Sequence, residues 1–216
     1  MARYNCVLFD FDGTTADTIG SVLHTFHHVF TNGGFEIDDE FISTNMGFSL
    51  REAFTYIIGD DTERVAECIR QYEAFYTSEA WRLIRLFPHV LETLARLKEA
   101  GVTLCIATNN LHRIVDHISE HLGMATYMQT IVCLDDVVNG KPAPDIALEA
   151  LRRTGYTAAE TLVVGDSTFD VGMGQAAGID TCAVTYGSHD RATLSEAGAT
   201  YIIDSFDKLV DIVLND

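Results

Sequence analysis

Asp10 and Asp12 stand two residues apart at the end of the apolar run Tyr4–Phe9, in the segment Phe9-Asp10-Phe11-Asp12-Gly13-Thr14-Thr15-Ala16-Asp17. On an extended chain such a pair projects to the same side. Gly13 directly afterwards lets the backbone turn sharply. Three further segments begin where a predicted strand ends. Thr108-Asn109 follows Val102–Ala107 and offers a hydroxyl donor ahead of a helix expected from about Leu111. Gly140-Lys141-Pro142-Ala143-Pro144-Asp145 sets a lysine just before a helix. Val164-Gly165-Asp166-Ser167-Thr168-Phe169-Asp170 carries two acids four apart at a strand-to-helix turn. Carboxylate and carbonyl oxygens suit a hard divalent cation such as magnesium. A carboxylate can also accept a phosphoryl group. Its attack on a phosphate dianion is electrostatically uphill, and nearby metal and ammonium charge offsets that repulsion.

These groups need a scaffold that gathers them at one edge. Tyr4–Phe9, Val102–Ala107, Gln129–Leu134, Thr161–Gly165 and Asp180–Val184 are near-continuous apolar runs, which suit strands covered on both faces. Between them the helical period recurs: Val90, Leu91, Leu94 and Leu97 before Gly101; Ile114, Val115, Ile118 and Leu122 before Gly123; Ile146, Leu148 and Leu151 before Gly155. Strand and helix alternating over residues 88–214 predict an α/β fold with a doubly wound parallel sheet, whose strand ends are where ligands bind.

Residues 15–85 break the rhythm. Ile19, Val22, Leu23, Phe26 and Phe30 make one helical stripe, and helices are expected near Asp39–Thr44, Ser49–Ile58 and Asp61–Ala80, with no convincing strand. The division predicted is a catalytic core of residues 1–14 and 86–216 with a small all-helical cap of residues 15–85. The connections near Thr15–Thr18 and Ile84–Pro88 would hinge that cap over the strand ends.

Fourteen basic against 32 acidic residues give a formal net charge of −18. Such a field repels nucleic acid and anionic membranes, so neither is an expected partner. It also repels a phosphorylated substrate, so any site for one must be made locally positive. No apolar run reaches membrane-spanning length, and the N-terminus runs straight into a strand without a leader-like segment, which predicts a cytoplasmic protein. Five cysteines without a CxxC pair read as reduced and mostly buried. The sequence is compatible with a monomer or weak homodimer.

In order and spacing, the segments at Asp10–Asp17, Ala107–Asn109, Gly140–Asp145 and Gly165–Asp170 resemble the four motifs of the haloacid-dehalogenase superfamily. A helical insertion between the first two resembles its phosphoglycolate-phosphatase-like and β-phosphoglucomutase-like subfamily. The resemblance implies Asp10 as nucleophile and magnesium ligand. It implies Asp12 as general acid/base, with its carbonyl also touching the metal. Thr108 would hydrogen-bond the phosphoryl group, and Lys141 would neutralise it and hold Asp10. Asp166 and Asp170 would serve the Mg2+ site, Asp170 as a ligand or one step removed. Gly13 and Asn109 would contact substrate, as would Arg51, which sits in Gly47-Phe48-Ser49-Leu50-Arg51-Glu52, a segment like the cap region that reads substrates in this subfamily. Departures are Thr15 where leucine is usual, Asn110 where lysine or serine often follows Thr-Asn, and His89 where glycine is common.

The function implied is a magnesium-dependent phosphatase acting on a small phosphate ester (phosphoglycolate-like, a sugar phosphate, or pyrophosphate) through a phospho-aspartate. A phosphomutase would share the same core. A non-enzymatic phospho-aspartate switch is disfavoured by Asp12, and a substrate-binding relative by the complete set of catalytic side chains. His24, His27 and His28 have metal-ligand spacing but fall mostly opposite the apolar stripe, and so read as a solvated face. The cap aromatics Phe41, Phe48, Phe54, Tyr56, Tyr72, Phe75 and Tyr76 read mainly as its own small core, with one or two lining the substrate pocket.

Overall fold

In a computed structural model of the protein, which describes residues 2–31, 38–45 and 48–215, the first apolar run forms β1 (Cys6–Phe9) and sends its side chains alternately into two layers. Val7 and Phe9 enter one apolar cluster and Cys6 and Leu8 another, so the strand is buried on both faces. The remaining strands are β2 (Ala16–Asp17), β3 (Arg85–Leu86), β4 (Thr103–Ala107), β5 (Thr130–Val132), β6 (Thr161–Gly165), β7 (Asp180–Val184) and β8 (Tyr201–Ile203). Among the described residues one sheet has the order β5-β4-β1-β6-β7-β8 with every pairing parallel. The chain moves outward from β1 through β4 to β5, then crosses back to β6 on the other side of β1. That reversal opens a crevice at the carboxyl ends of β4, β1 and β6, where doubly wound sheets bind ligands.

The helices are α1 (Ile19–Thr31), α2 (Asp39–Thr44), α3 (Leu50–Ile58), α4 (Thr62–Ser78), α5 (Val90–Glu99), α6 (His112–His121), α7 (Asp145–Thr154), α8 (Thr168–Ala177), α9 (Arg191–Glu196) and α10 (Leu209–Leu214). Leu94 and Leu97 of α5, Val115 of α6 and Val213 of α10 cover the Val7/Phe9 face. Ile146 and Ala150 of α7 and Met173 of α8 cover the Cys6/Leu8 face.

Helices α1–α4 form the cap around a knot of aromatic rings. Phe26 lies 5.1 Å from both Phe54 and Tyr72, and Tyr72 stacks on Tyr76 at 5.5 Å. Ser49 and Glu52 close a reciprocal capping box at the start of α3, as the Ser-x-x-Glu spacing dictates. Of the three cap histidines, His27 bonds Asp39 at 2.8 Å and His28 stacks on Phe75 at 3.7 Å.

The structure differs from the sequence reading in three respects. Residues 15–85 are not wholly strand-free, because β2 pairs antiparallel with β3 where the two connections run side by side. Two residues are too few for a period-two pattern to register. β8, at three residues, is likewise too short to show one. On the helical stripes, Leu91 of α5 is 38% exposed and Leu148 of α7 is 49% exposed. The spacing of two from Ile146 turns Leu148 some 200° around the helix, and Ala147 and Ala150 are buried instead.

His89 holds the αL conformation at φ 67°, the one non-glycine residue with positive φ among those described. A left-handed conformation costs an L-residue roughly 1–2 kcal/mol, which explains why glycine suits this position. His89→Gly is therefore expected to raise unfolding stability by about 1 kcal/mol, read as a higher urea midpoint at unchanged slope.

Candidate active site

Register decides which side chains meet. Phe9 pairs with Ile106 of β4 and Val164 of β6, and the Asp10 amide still donates to the Val164 carbonyl at 2.8 Å. Asp10 therefore leaves β1 level with Ala107 and Gly165, and Thr108 and Asp166 emerge one step beyond on either side.

Lys141, carried on the loop before α7, reaches into this crevice. Its Nζ donates to Asp10 Oδ1 at 2.5 Å and to Asp170 Oδ1 at 2.6 Å, and its side chain is only 3% exposed. Asn109 brackets its backbone, accepting from the Lys141 amide at 2.7 Å and donating to its carbonyl at 3.2 Å. The Asp170 Oδ2 accepts from the Ser167 amide at 3.1 Å and hydroxyl at 2.6 Å, which caps α8 and fixes the carboxylate at the same time. Asp166 Oδ1 accepts from the Thr14 hydroxyl at 3.0 Å and Oδ2 from the Ser188 amide at 2.6 Å.

Two glycines admit this crowding. A Cβ on Gly165 would lie 2.1 Å from the Asp170 Cγ, and one on Gly13, where φ is +77°, would lie 2.4 Å from Asp166 Oδ2. The Gly13 amide itself donates to the Ala16 carbonyl at 2.9 Å. Thr15 is fully buried with its hydroxyl 3.1 Å from the Asp10 and Phe11 carbonyls, so a polar residue stands there without an unsatisfied group.

Four carboxylates thus face one ammonium. Burial pushes the Asp10 carboxyl well above its ordinary value despite Lys141, and raises Asp12 as well. Burial and the neighbouring Asp170 push Asp166 up to about 6. Carboxylate oxygens of Asp10, Asp166 and Asp170 lie within 4.8 Å of one another, an all-oxygen donor set that fits a hard divalent cation. A carboxylate offers about four acceptor positions. Protein donors take three on Asp170 and two on Asp166, so Asp166 keeps more capacity for a cation.

Asp12 Oδ2 accepts from the Asn110 amide at 3.1 Å, while its Oδ1 is buried without a hydrogen-bond partner. A cavity of about 440 Å³ opens from here beneath the cap, and Asp10, Asp12, Thr108, Asn109, Lys141, Asp166, Asp170 and Arg51 all border it. Arg51 is exposed at its edge, and Gly47 of the same segment lies outside the described residues. The sequence reading did not single out Thr14, Ser188 or Arg113, which pairs with Glu73 across the cavity. Asn110, noted there only as a departure, turns out to hold Asp12. Its position beside Thr108 was a usable signal, whereas nothing near Ser188 marks it in sequence.

Comparison with known proteins gives a consistent picture. The haloacid dehalogenase-like hydrolase family model matches residues 7–184. The pyrophosphatase PpaX of Bacillus velezensis is 35% identical over 97% of this chain and 96% of its own length. The probable phosphatase IndB of Dickeya dadantii is 33% identical over 94% and 91%. The crystal structure of a haloacid dehalogenase-like protein from Bacteroides fragilis superposes with a TM-score of 0.91 at 28% identity, covering 95% of this chain and 99% of that one.

A raised carboxyl ties stability to pH. Below 3.8 Asp166 is protonated in the folded and unfolded states alike; between 3.8 and about 6 only the folded state keeps the proton, so its contribution falls as pH rises through that window. Above 6 the folded protein carries the buried charge. Added Mg2+ is accordingly expected to raise the thermal midpoint by about 5 °C at pH 8 and far less at pH 5. Asp166→Asn should remove most of the pH 8 rise, as followed by calorimetry.

Proposed function

The chain belongs to the haloacid dehalogenase-like hydrolase family, and on that premise we propose that it is a magnesium-dependent phosphatase that passes the phosphoryl group through Asp10. The observation that carries the reading is the buried ammonium of Lys141 held between Asp10 and Asp170. A carboxylate so placed is oriented for attack, and the ammonium lies where negative charge builds up on a transferring phosphoryl group.

In this reading Asp10 attacks phosphorus and the bond to the leaving oxygen breaks. Asp12 supplies the proton that oxygen needs, and burial favours the protonated acid that donates it. The same carboxylate then takes a proton from water, which attacks the phospho-aspartate and releases inorganic phosphate. Asn110 fixes Asp12 through one oxygen and leaves the other without a hydrogen-bond partner. Thr108, 1% exposed at the end of β4, donates to a phosphoryl oxygen. Asp10 and Asp166, with the Asp12 carbonyl, would hold Mg2+, and Asp170 would chiefly hold Lys141. The cation would supply charge neutralisation to the phosphoryl oxygens.

We divide the chain into a core of residues 1–14 and 86–216 and a cap of residues 15–85 that covers the site. The substrate is a small phosphorylated metabolite, and the names of relatives make pyrophosphate one compound to test. Among the described residues no helix is long and apolar enough to cross a membrane. The five cysteines are free thiols, which supports a reducing, cytoplasmic setting.

Magnesium-dependent phosphate release from a panel of esters checks the mechanism. Asp10→Asn is expected to abolish it in a folded protein, and Asp12→Asn to slow it by roughly 10²- to 10⁴-fold. A hexose 1-phosphate converted to its 6-phosphate without free phosphate would select a mutase instead.

A further inference from the structure

The phosphate-binding groups occupy only one end of the cavity. Away from Asp10 the walls change character: Phe26, Phe41, Phe48, Ile69 and Leu111 line them, with Asn45 and Ser49 the uncharged polar cap side chains beside them. Phe48 meets Phe41 edge-on at 6.3 Å and Phe169 of the core edge-on at 5.5 Å, so ring contacts tie this part of the cap to the start of α8. A volume of about 440 Å³ falls within the range of pockets that enclose organic ligands.

Charge argues the same way. Lys141, Arg51 and Arg113 are the lysine and arginine side chains bordering the cavity among the described residues. Lys141 is committed at the phosphate end, Arg113 is paired with Glu73, and Arg51 is exposed. A second phosphoryl group would therefore meet apolar walls and the neutralised Arg113–Glu73 pair, with Arg51 the one uncommitted cation at the exposed edge among the described lining residues.

Resting on the phosphatase reading above, we propose that the substrate is a phosphomonoester whose leaving alcohol is ring-sized and mainly apolar, rather than pyrophosphate or the phosphate of a short hydroxy acid. The phosphoryl group sits between Asp10 and Lys141. The alcohol lies under the cap against Phe48 and Phe41.

The test compares kcat/KM for benzyl phosphate, ethyl phosphate and pyrophosphate with the magnesium-loaded protein. The two esters release alcohols of similar basicity, so their ratio reports binding of the ring rather than ease of departure. The expected result is at least a tenfold advantage of benzyl over ethyl phosphate, with pyrophosphate slowest. Phe48→Ala should shrink the benzyl-to-ethyl ratio to about threefold or less, and Phe48→Leu serves if the alanine variant does not fold. Equal rates for the two esters, or pyrophosphate turned over faster than benzyl phosphate, would overturn the inference and leave the phosphatase reading intact. A ratio unchanged in a folded Phe48 variant would overturn the assignment of this wall to the ring. Release from none of the three would overturn the phosphatase reading and this inference with it.

Discussion

A single ammonium buried among four carboxylates sets the terms for the rest of the molecule. The Lys141 side chain is 3% exposed and bonds two aspartates at 2.5 and 2.6 Å. Burying a charge is tolerated when it is paired and hydrogen-bonded, and removing one partner strands the other. The neighbourhood meets that condition in layers. Asn109 grips the lysine backbone through both ends of its amide. Ser167 fastens Asp170 from behind. Thr14 and the Ser188 amide fasten Asp166. The remaining excess of negative charge is what a divalent cation would neutralise, so the site's incomplete charge balance and its proposed chemistry have one cause.

That arrangement needs four separate stretches of chain brought to one edge, and the strand order supplies them. Because β1 is central, the loops after β4 and β6 flank Asp10 directly. The loop before α7 crosses in front with Lys141. Helix starts recur here for a physical reason: Ser167 and Asp170 satisfy the free amides of α8 while holding the lysine, so one capping box serves fold and site together. The glycines are the steric counterpart. At Gly13 and Gly165 a methyl group would occupy space already filled by Asp166 and Asp170.

Much of this was legible in the sequence, and what was not follows a pattern. Both faces of β1 are apolar, so its burial could be read from four residues. Asp10, Asp12, Lys141 and Asp166 stood out because each ends a strand or opens a helix, where a charged residue interrupts an apolar pattern. Short elements left no such signature: β2, β3 and β8 are two or three residues each and exist through tertiary pairing. The supporting contacts were hidden for another reason. Thr14 and Ser188 act on Asp166 from 152 and 22 residues away, and a hydroxyl or amide in a loop carries no periodicity. The fold's long-range pairing, not local propensity, gives those residues their work.

The overall charge of −18 opposes the anionic substrate we propose, and the same division of labour offsets that repulsion. The core provides local positive charge through the Lys141 ammonium, 2.5 Å from Asp10, and the carboxylates around it would add to it only by holding the proposed cation. The cap adds little positive charge to the cavity, since its Arg51 is exposed and its Glu73 occupies Arg113. On the proposed reading an anionic group is drawn chiefly to the Lys141 end of the cavity. Apolar contact under the cap can then orient the rest of the molecule without competing for the phosphate position. A substrate charged at both ends would gain nothing from that polarity, whereas one charged end and one apolar end match it.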